Sequence, residues 1–286
     1  MLELMHFSDL HFGKPFVPKV AEALLAACRQ LKPPLMVISG DLTQRAKREE
    51  FRQARQFLDR LPDGPRILSP GNPDVPLYRF WERIANPLGN YREFISPTLD
   101  SKLRLENAMI VGLDSTDPHR AITNGRIGSE QLKFCAEAFE GLPPEVARVV
   151  VLHHHLIPAP GYARIAPMPK AKRALDLFTQ LRVDLILAGH LHRAYVGNSL
   201  DVYSGLERDH GIIIVQCGTS TSRRGRGFER EKNTFNWVRL RTATMKVRHF
   251  MYFADRQAFS PVSRHEFARP RRGWLQEGIE RDNLSS

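Results

Sequence analysis

The run Leu35-Met36-Val37-Ile38-Ser39-Gly40-Asp41 constrains this chain more than any other stretch. A short apolar run that stops at Gly-Asp reads as a buried strand with a carboxylate at its exit. Gly40 lets the backbone turn tightly there. Asp41, at the rim, has two oxygens with which to hold two cations at once. Gly-Asp alone also opens ordinary turns. The pair gains meaning because four other strand-like runs end in metal-ligand residues: at Asp9 and His11, at Asn72, at His153, and at His190 and His192.

Between these exits the pattern alternates strand and helix. Leu2 to Phe7 reads as a strand, and Pro18 then opens a helix at its first position, with Val20, Leu24, Leu25 and Cys28 on one face and Pro33-Pro34 as the stop. Lys47 to Leu61 is an amphipathic helix. Arg66 to Ser69 is a short strand before Pro70-Gly71-Asn72-Pro73-Asp74. The aromatic-rich stretch from Leu77 to about Ile95 is expected to serve as core or lid. Leu103–Leu105 and Ala108–Leu113 read as paired strands, and Ser129 is expected to cap a helix reaching Phe139. Ala147 to Leu152 is a buried strand ending in His153-His154-His155. A helix over Lys170–Leu181 and a strand over Val183–Ala188 lead to Gly189-His190-Leu191-His192. Gly211–Gln216, Phe235–Arg241 and Met245–Phe253 supply further strands. Residues 1–268 read as a single domain and 269–286 as a polar C-terminal tail.

Composition narrows the class. The 286 residues are 42% hydrophobic, enough for a sizeable α/β core. The net charge of +11 favours phosphate-bearing partners or simply keeps the surface soluble. The 3 cysteines, Cys28, Cys135 and Cys217, form no Cys-x-x-Cys pair, which points to a reducing, cytoplasmic setting without a disulfide framework. No signal peptide opens the chain and no apolar stretch is long enough for a transmembrane segment. The sequence leaves the oligomeric state open.

Asp9 and His11 lie two apart, so in an extended segment both side chains point to one side and can reach one metal. His190 and His192 share that spacing and can each serve a different member of a close metal pair. In two-metal hydrolases the ions sit about 3.5–4 Å apart. Imidazole, carboxylate and amide oxygen without thiolate suit Mn, Fe, Zn, Ni or Mg.

Asp-x-His at 9–11, Gly-Asp at 40–41, Gly-Asn-x-Asp at 71–74, a strand-terminal His153 and Gly-His-x-His at 189–192 occur in order. Together they resemble the motif series of the calcineurin-like metallophosphoesterases, near the bacterial cyclic-nucleotide phosphodiesterases. The resemblance implies an α/β fold, a four-layer αββα sandwich of two mixed β-sheets flanked by helices. It implies two metal ions, with Mn the first expectation: Asp9, His11, Asp41 and His192 on one, Asp41, Asn72, His153 and His190 on the other. A hydroxide between the ions would attack phosphorus in line. Asp41, Asn72 and His154 would be the catalytic residues, with Asn72, His154 and His155 against the substrate.

Two positions depart from the family's pattern. Pro73 stands where the family has a histidine that neutralises the transition state or protonates the leaving group, and it pushes Asn72 toward an extended backbone. His155 stands where the family often has proline, and His154 or His155 is a candidate for the missing donor. Resemblance to family members with another residue where Pro73 stands suggests a small phosphodiester substrate, since a monoester carries more negative charge and suffers more from losing a proton donor; the candidates are a cyclic nucleotide, another small phosphodiester and a pyrophosphate-linked nucleotide lipid precursor. The alternatives are a catalytically weakened metal-binding scaffold and a basic nuclease. The latter would use Arg223, Arg224, Arg226 and Arg230 on a phosphate backbone, but little chain remains for a DNA-binding region.

Overall fold

The computed structural model describes residues 1–119, 124–160, 166–202, 211–225 and 229–269. In chain order the elements are β1 (Leu2–Phe7), α1 (Pro18–Leu31), β2 (Met36–Ser39), α2 (Arg48–Asp59), β3 (Arg66–Ser69), a 3-10 turn (Asn72–Asp74), α3 (Phe80–Ala85) and α4 (Gly89–Phe94). Then come β4 (Ser101–Leu105), β5 (Ala108–Gly112), α5 (Ser129–Phe139), β6 (Ala147–Val151), α6 (Ala171–Gln180), β7 (Leu185–Ala188), β8 (Tyr195–Asn198) and α7 (Ser199–Val202). The last are β9 (Ile213–Gln216), β10 (Thr234–Leu240), β11 (Thr244–Phe253) and β12 (Ala258–Ala268).

The strands form two six-stranded sheets, ordered β12-β11-β10-β1-β2-β3 and β4-β5-β6-β7-β9-β8. In the first, β1, β2 and β3 run parallel and β10–β12 extend the sheet antiparallel from β1. In the second, β5, β6, β7 and β9 are parallel, with β4 and β8 as antiparallel edges. Both sheets are mixed, as expected.

Three apolar clusters fill the layers. Leu4, Val37 and Ile67 of the first sheet meet Ile110, Val149 and Leu187 of the second in a cluster between the sheets. The opposite face of the first sheet, with Met5, Phe7 and Ile38, packs on Leu24, Cys28, Phe51 and Phe57 of α1 and α2. The opposite face of the second, with Val150 and Ile186, packs on Leu132, Cys135, Leu175 and Phe178 of α5 and α6. This is the alternation that period-2 strands impose, one set of side chains to each face. The result is a four-layer αββα sandwich.

Several expectations change. The residue capping α5 is Gly128 rather than Ser129: Ser129 is already helical, and the Gly128 N–H donates to Gln131 Oε1 at 2.8 Å. The aromatic stretch becomes two short helices that bury Tyr91 but leave Tyr78, Phe80 and Trp81 72%, 61% and 80% exposed, so only part of it is core. Strands β8 and β12 were not anticipated. Arg269, expected as the first residue of a loose tail, is buried and donates from Nε and Nη2 to the two carboxylate oxygens of Asp184 at 2.7 and 2.9 Å. The remainder of that tail, 270–286, lies outside the described residues, as do 120–123 and 161–165 of the two long loops. Among the described residues no helix is long and apolar enough to cross a membrane.

Candidate metal centre

The exits of β1, β2 and β3 in one sheet and of β6 and β7 in the other bring Asp9, His11, Asp41, Asn72, His153, His190 and His192 to one rim. Asp9, His11, Asp41 and His192 are buried, with one potential ligand atom from each lying within 4.8 Å of the others. Beside them, Asn72 Oδ1 stands 3.2 Å from His153 Nε2 and 3.0 Å from His190 Nδ1. His153 Nε2 also lies 3.0 Å from Asp41 Oδ1, so Asp41 belongs to both groups.

The backbone is not as expected. Asp9, His11, Asp41, His190 and His192 all have left-handed φ values, of 55°, 51°, 53°, 76° and 53°. Asp9 and His11 therefore converge through a left-handed loop rather than through an extended segment, and His190 and His192 do the same. Such residues each cost about 1–2 kcal/mol and persist where the surroundings fix them. Asn72 likewise opens a 3-10 turn instead of lying in extended backbone. Gly40, at φ 90°, passes so close to the His153 ring that a Cβ would collide with it.

Neighbouring hydroxyls and one carboxylate hold these loops. Thr219 and Thr221 donate from Oγ1 to the Asp9 and Leu10 carbonyls at 2.7 and 2.8 Å, and Ser8 N donates to Ser220 Oγ at 3.0 Å. Asp74 accepts from Leu42 N, Thr43 N, Thr43 Oγ1 and Gly71 N at 3.1, 2.8, 2.9 and 2.9 Å, tying the loop of Asp41 to that of Asn72. Sequence reasoning gave none of these residues a role. The available signal was the small-hydroxyl run Thr219-Ser220-Thr221-Ser222 directly after a buried strand.

Two histidine tautomers are fixed from behind. His153 Nδ1 donates to the Ser39 carbonyl at 2.8 Å and His192 Nδ1 to the Arg224 carbonyl at 3.0 Å. In the neutral rings each Nε2 is then a lone pair. These lone pairs face acceptors: Asp41 Oδ1 and Asn72 Oδ1 for His153, and Asp9 Oδ1 for His192, whose Nε2 also lies 3.0 Å from His11 Nε2. Asp9 Oδ1 and Asp41 Oδ1 are buried without a hydrogen-bond partner. Buried acceptors turned on one another need a cation, so the donor set fits metal ions.

The protonation balance agrees. Burial pushes the Asp41 carboxyl up to about 7 against the pull of His153. Burial opposes charge on His153 too, but the Asp41 carboxylate outweighs it and raises the imidazole to about 9. Burial, followed by the charges of His154, His153 and His155, holds His190 well below the ordinary histidine value.

His154 and His155 are both buried against this cluster. His154 Nδ1 lies 2.9 Å from Ser115 Oγ and its ring centroid 4.7 Å from that of His190; His155 stacks on His190 at 5.5 Å.

A family model described as calcineurin-like phosphoesterase matches residues 2–194. A probable cyclic nucleotide phosphodiesterase of Synechococcus sp. is 24% identical over 220 residues, covering 71% of this chain and 79% of that protein. Among solved structures, a purple acid phosphatase from yellow lupin seeds aligns at TM-score 0.67 and 12% identity over 96% of this chain, which spans 55% of the lupin chain. A dimetal phosphatase from Danio rerio aligns at TM-score 0.64 and 11% identity, over 94% of this chain and 99% of that one.

Proposed function

Since the chain belongs to the calcineurin-like phosphoesterase family, which depends on a dinuclear metal centre, we propose that it is a phosphodiesterase acting on a small, nucleotide-type phosphodiester. Asp9, His11, Asp41 and His192 would hold one cation, and Asp41, Asn72, His153 and His190 the other, Asp41 serving both. Manganese is the expected metal, and the donor set also serves Fe, Zn, Ni or Mg. Two such cations, when bound, would supply an acidified water and neutralise charge on phosphoryl oxygens.

The chain's own groups orient and exclude. The Ser39 and Arg224 carbonyls keep the lone pairs of His153 and His192 directed inward. Asp74 fixes the spacing of Asp41 and Asn72, and the buried side chains beneath the rim keep bulk water from the ligands. His154 and His155, against His190, are assigned to the substrate. Pro73 offers no proton to a leaving group, which favours a diester over a monoester. A relative named as a probable cyclic nucleotide phosphodiesterase supports the nucleotide class. The three buried free cysteines suit a reducing, cytoplasmic setting.

The observation that carries this reading is the convergence of buried, mutually facing acceptors from both sheets. The test is hydrolysis of bis(p-nitrophenyl) phosphate and p-nitrophenyl phosphate by the manganese-loaded protein, with Asp41→Asn as control. Diester cleavage that disappears in the control is expected. A loaded protein that bound two metals and cleaved neither ester would point to the scaffold alternative.

A further inference from the structure

Helix α3 presents its apolar side to water and its polar side to the protein. None of its residues is buried. Phe80, Trp81 and Ile84 share one side of the helix and are exposed, as are Leu77 and Tyr78 just before it. The half-buried positions are instead the charged ones, Arg79, Glu82 and Arg83. Arg79 donates from Nη1 and Nη2 to the Arg45 and Ala46 carbonyls at 3.2 and 2.8 Å and pairs with Glu82. Glu82 Oε1 also accepts from Asn90 Nδ2 at 3.2 Å, and Arg83 Nε donates to the Pro118 carbonyl at 2.6 Å. An amphipathic helix of a globular domain ordinarily packs its apolar stripe on the core. Here ion pairs and carbonyls fasten the polar side, so the stripe is held outward. An exposed apolar patch of this kind marks a surface for a partner.

The surface beside the patch is basic. Tyr78 lines a cavity whose wall carries Lys14, Arg45, Lys47, Arg79 and Arg224 against a single carboxylate, Glu50. Glu50 is committed to the backbone N–H groups of Arg45 and Lys47. Arg45 lies over the Tyr78 ring at 4.6 Å, so a cation borders the stripe directly. Tryptophan and tyrosine settle at the headgroup level of a bilayer, and flanking lysines and arginines are drawn to the negative potential of anionic lipids. Single-stranded nucleic acid also takes rings and cations. It has no use for Leu77 and Ile84, whereas the interior of a bilayer does. Among the described residues no helix is long and apolar enough to cross a membrane, so the contact in question is a peripheral one.

We propose that α3, with Leu77 and Tyr78, docks the protein on an anionic membrane surface, the Phe80–Trp81–Ile84 stripe entering the interface and the neighbouring cations facing the lipid charge. The proposal stands apart from the phosphodiesterase reading. Only residues 75–79 separate α3 from the turn that carries Asn72, so docking would hold the rim of candidate ligands close to the lipid surface.

The test is co-sedimentation of the full chain with vesicles of phosphatidylcholine alone and of phosphatidylcholine with an equal part of phosphatidylglycerol. Binding to the anionic vesicles is expected to be about tenfold stronger and to weaken as ionic strength rises from about 0.1 M to about 1 M. Phe80→Ser/Trp81→Ser should reduce it about a hundredfold. The thermal unfolding of that variant should match the wild type, since α3 buries none of its residues. Lys14→Gln/Lys47→Gln should lower the preference for anionic vesicles and leave the weak binding to neutral ones in place. Equal binding to both vesicle types, or anionic binding that survives loss of the aromatic pair, would overturn the proposal. Absence of vesicle binding together with retention of a single-stranded oligonucleotide that Phe80→Ser/Trp81→Ser abolishes would also overturn it, and would assign the stripe to nucleic acid.

Discussion

His11 Nε2 and His192 Nε2 stand 3.0 Å apart, one contributed by each sheet, and His192 Nδ1 already donates elsewhere. At most one proton can serve the two facing nitrogens. Metal ions that replace it should stabilise the whole fold, because the folded chain gathers donors that the unfolded chain scatters. At a hundredfold excess over Kd the gain is about 2.7 kcal/mol for one site, and a rise in Tm of several degrees is expected. Thermal unfolding with manganese and with a chelator measures it. Identical curves would argue against metal binding at this rim.

Asp74 is predicted to be a positioning residue. Its carboxylate accepts four donors, and Asp74→Asn would turn an NH₂ group toward some of them. Leaving buried donors unsatisfied costs about 1–3 kcal/mol. Urea unfolding should show that loss, and kcat should fall more than KM changes because the spacing of Asp41 and Asn72 slackens. A variant that lost stability but kept full kcat would assign Asp74 to stability alone.

Gly71 tests close approach. A Cβ at this position would overlap both Asp41 Oδ1 and the Asp41 backbone nitrogen. Overpacking of this kind costs about 1–3 kcal/mol. Gly71→Ala should lower manganese content, read by elemental analysis, as well as stability. Normal metal content with normal activity would show that the loop yields without penalty.

Acid should weaken the first sheet through the buried histidines of its own strands. Burial, reinforced by His265, holds His249 down at about 4, and its Nδ1 lies 2.6 Å from Asn236 Oδ1. The folded pKa is below the unfolded value of about 6.5, so the unfolded chain binds the proton more readily. Stability from this group is complete above pH 6.5 and is lost as pH falls toward 4, by at most about 3 kcal/mol. His6, held by burial at about 3, acts with the same sign. Urea unfolding of the chelator-treated protein at pH 7.5 and 5 should show the slope, and His249→Gln should flatten it.

How far the sequence disclosed this molecule follows from what each residue's role depends on. The strands that end in Asp41 and His153 were legible because a buried parallel strand is apolar on both faces, and Val37-Ile38 and Val149-Val150-Val151 are fully buried. Strand β12 was not, since Ala258–Ala268 lies at a sheet edge with most of its residues exposed and shows little apolar period. The residues converging on the rim were legible as chemistry at strand exits, but their left-handed backbone was not. In the loop of Asp9 that conformation is held by Thr219 and Thr221, more than two hundred positions from Asp9 and Leu10. A surface cavity lined by Lys14, Lys47 and Arg224 was illegible for a similar reason: these residues become neighbours only once three loops meet.

The hydroxyl clamp also sets a timetable. Asp9, Asp41 and Asn72 leave the ribosome first, the histidines of the second sheet follow, and Thr219 to Ser222 and β10, which flanks β1, come later. At about 5–20 residues per second, Asp9 waits roughly 10–40 s for the residues that shape its loop. Throughout that interval the early ligands belong to an unfinished sheet. The nascent chain cannot complete this rim as it emerges, and closure of the candidate ligand set becomes one of the last events in the protein's folding.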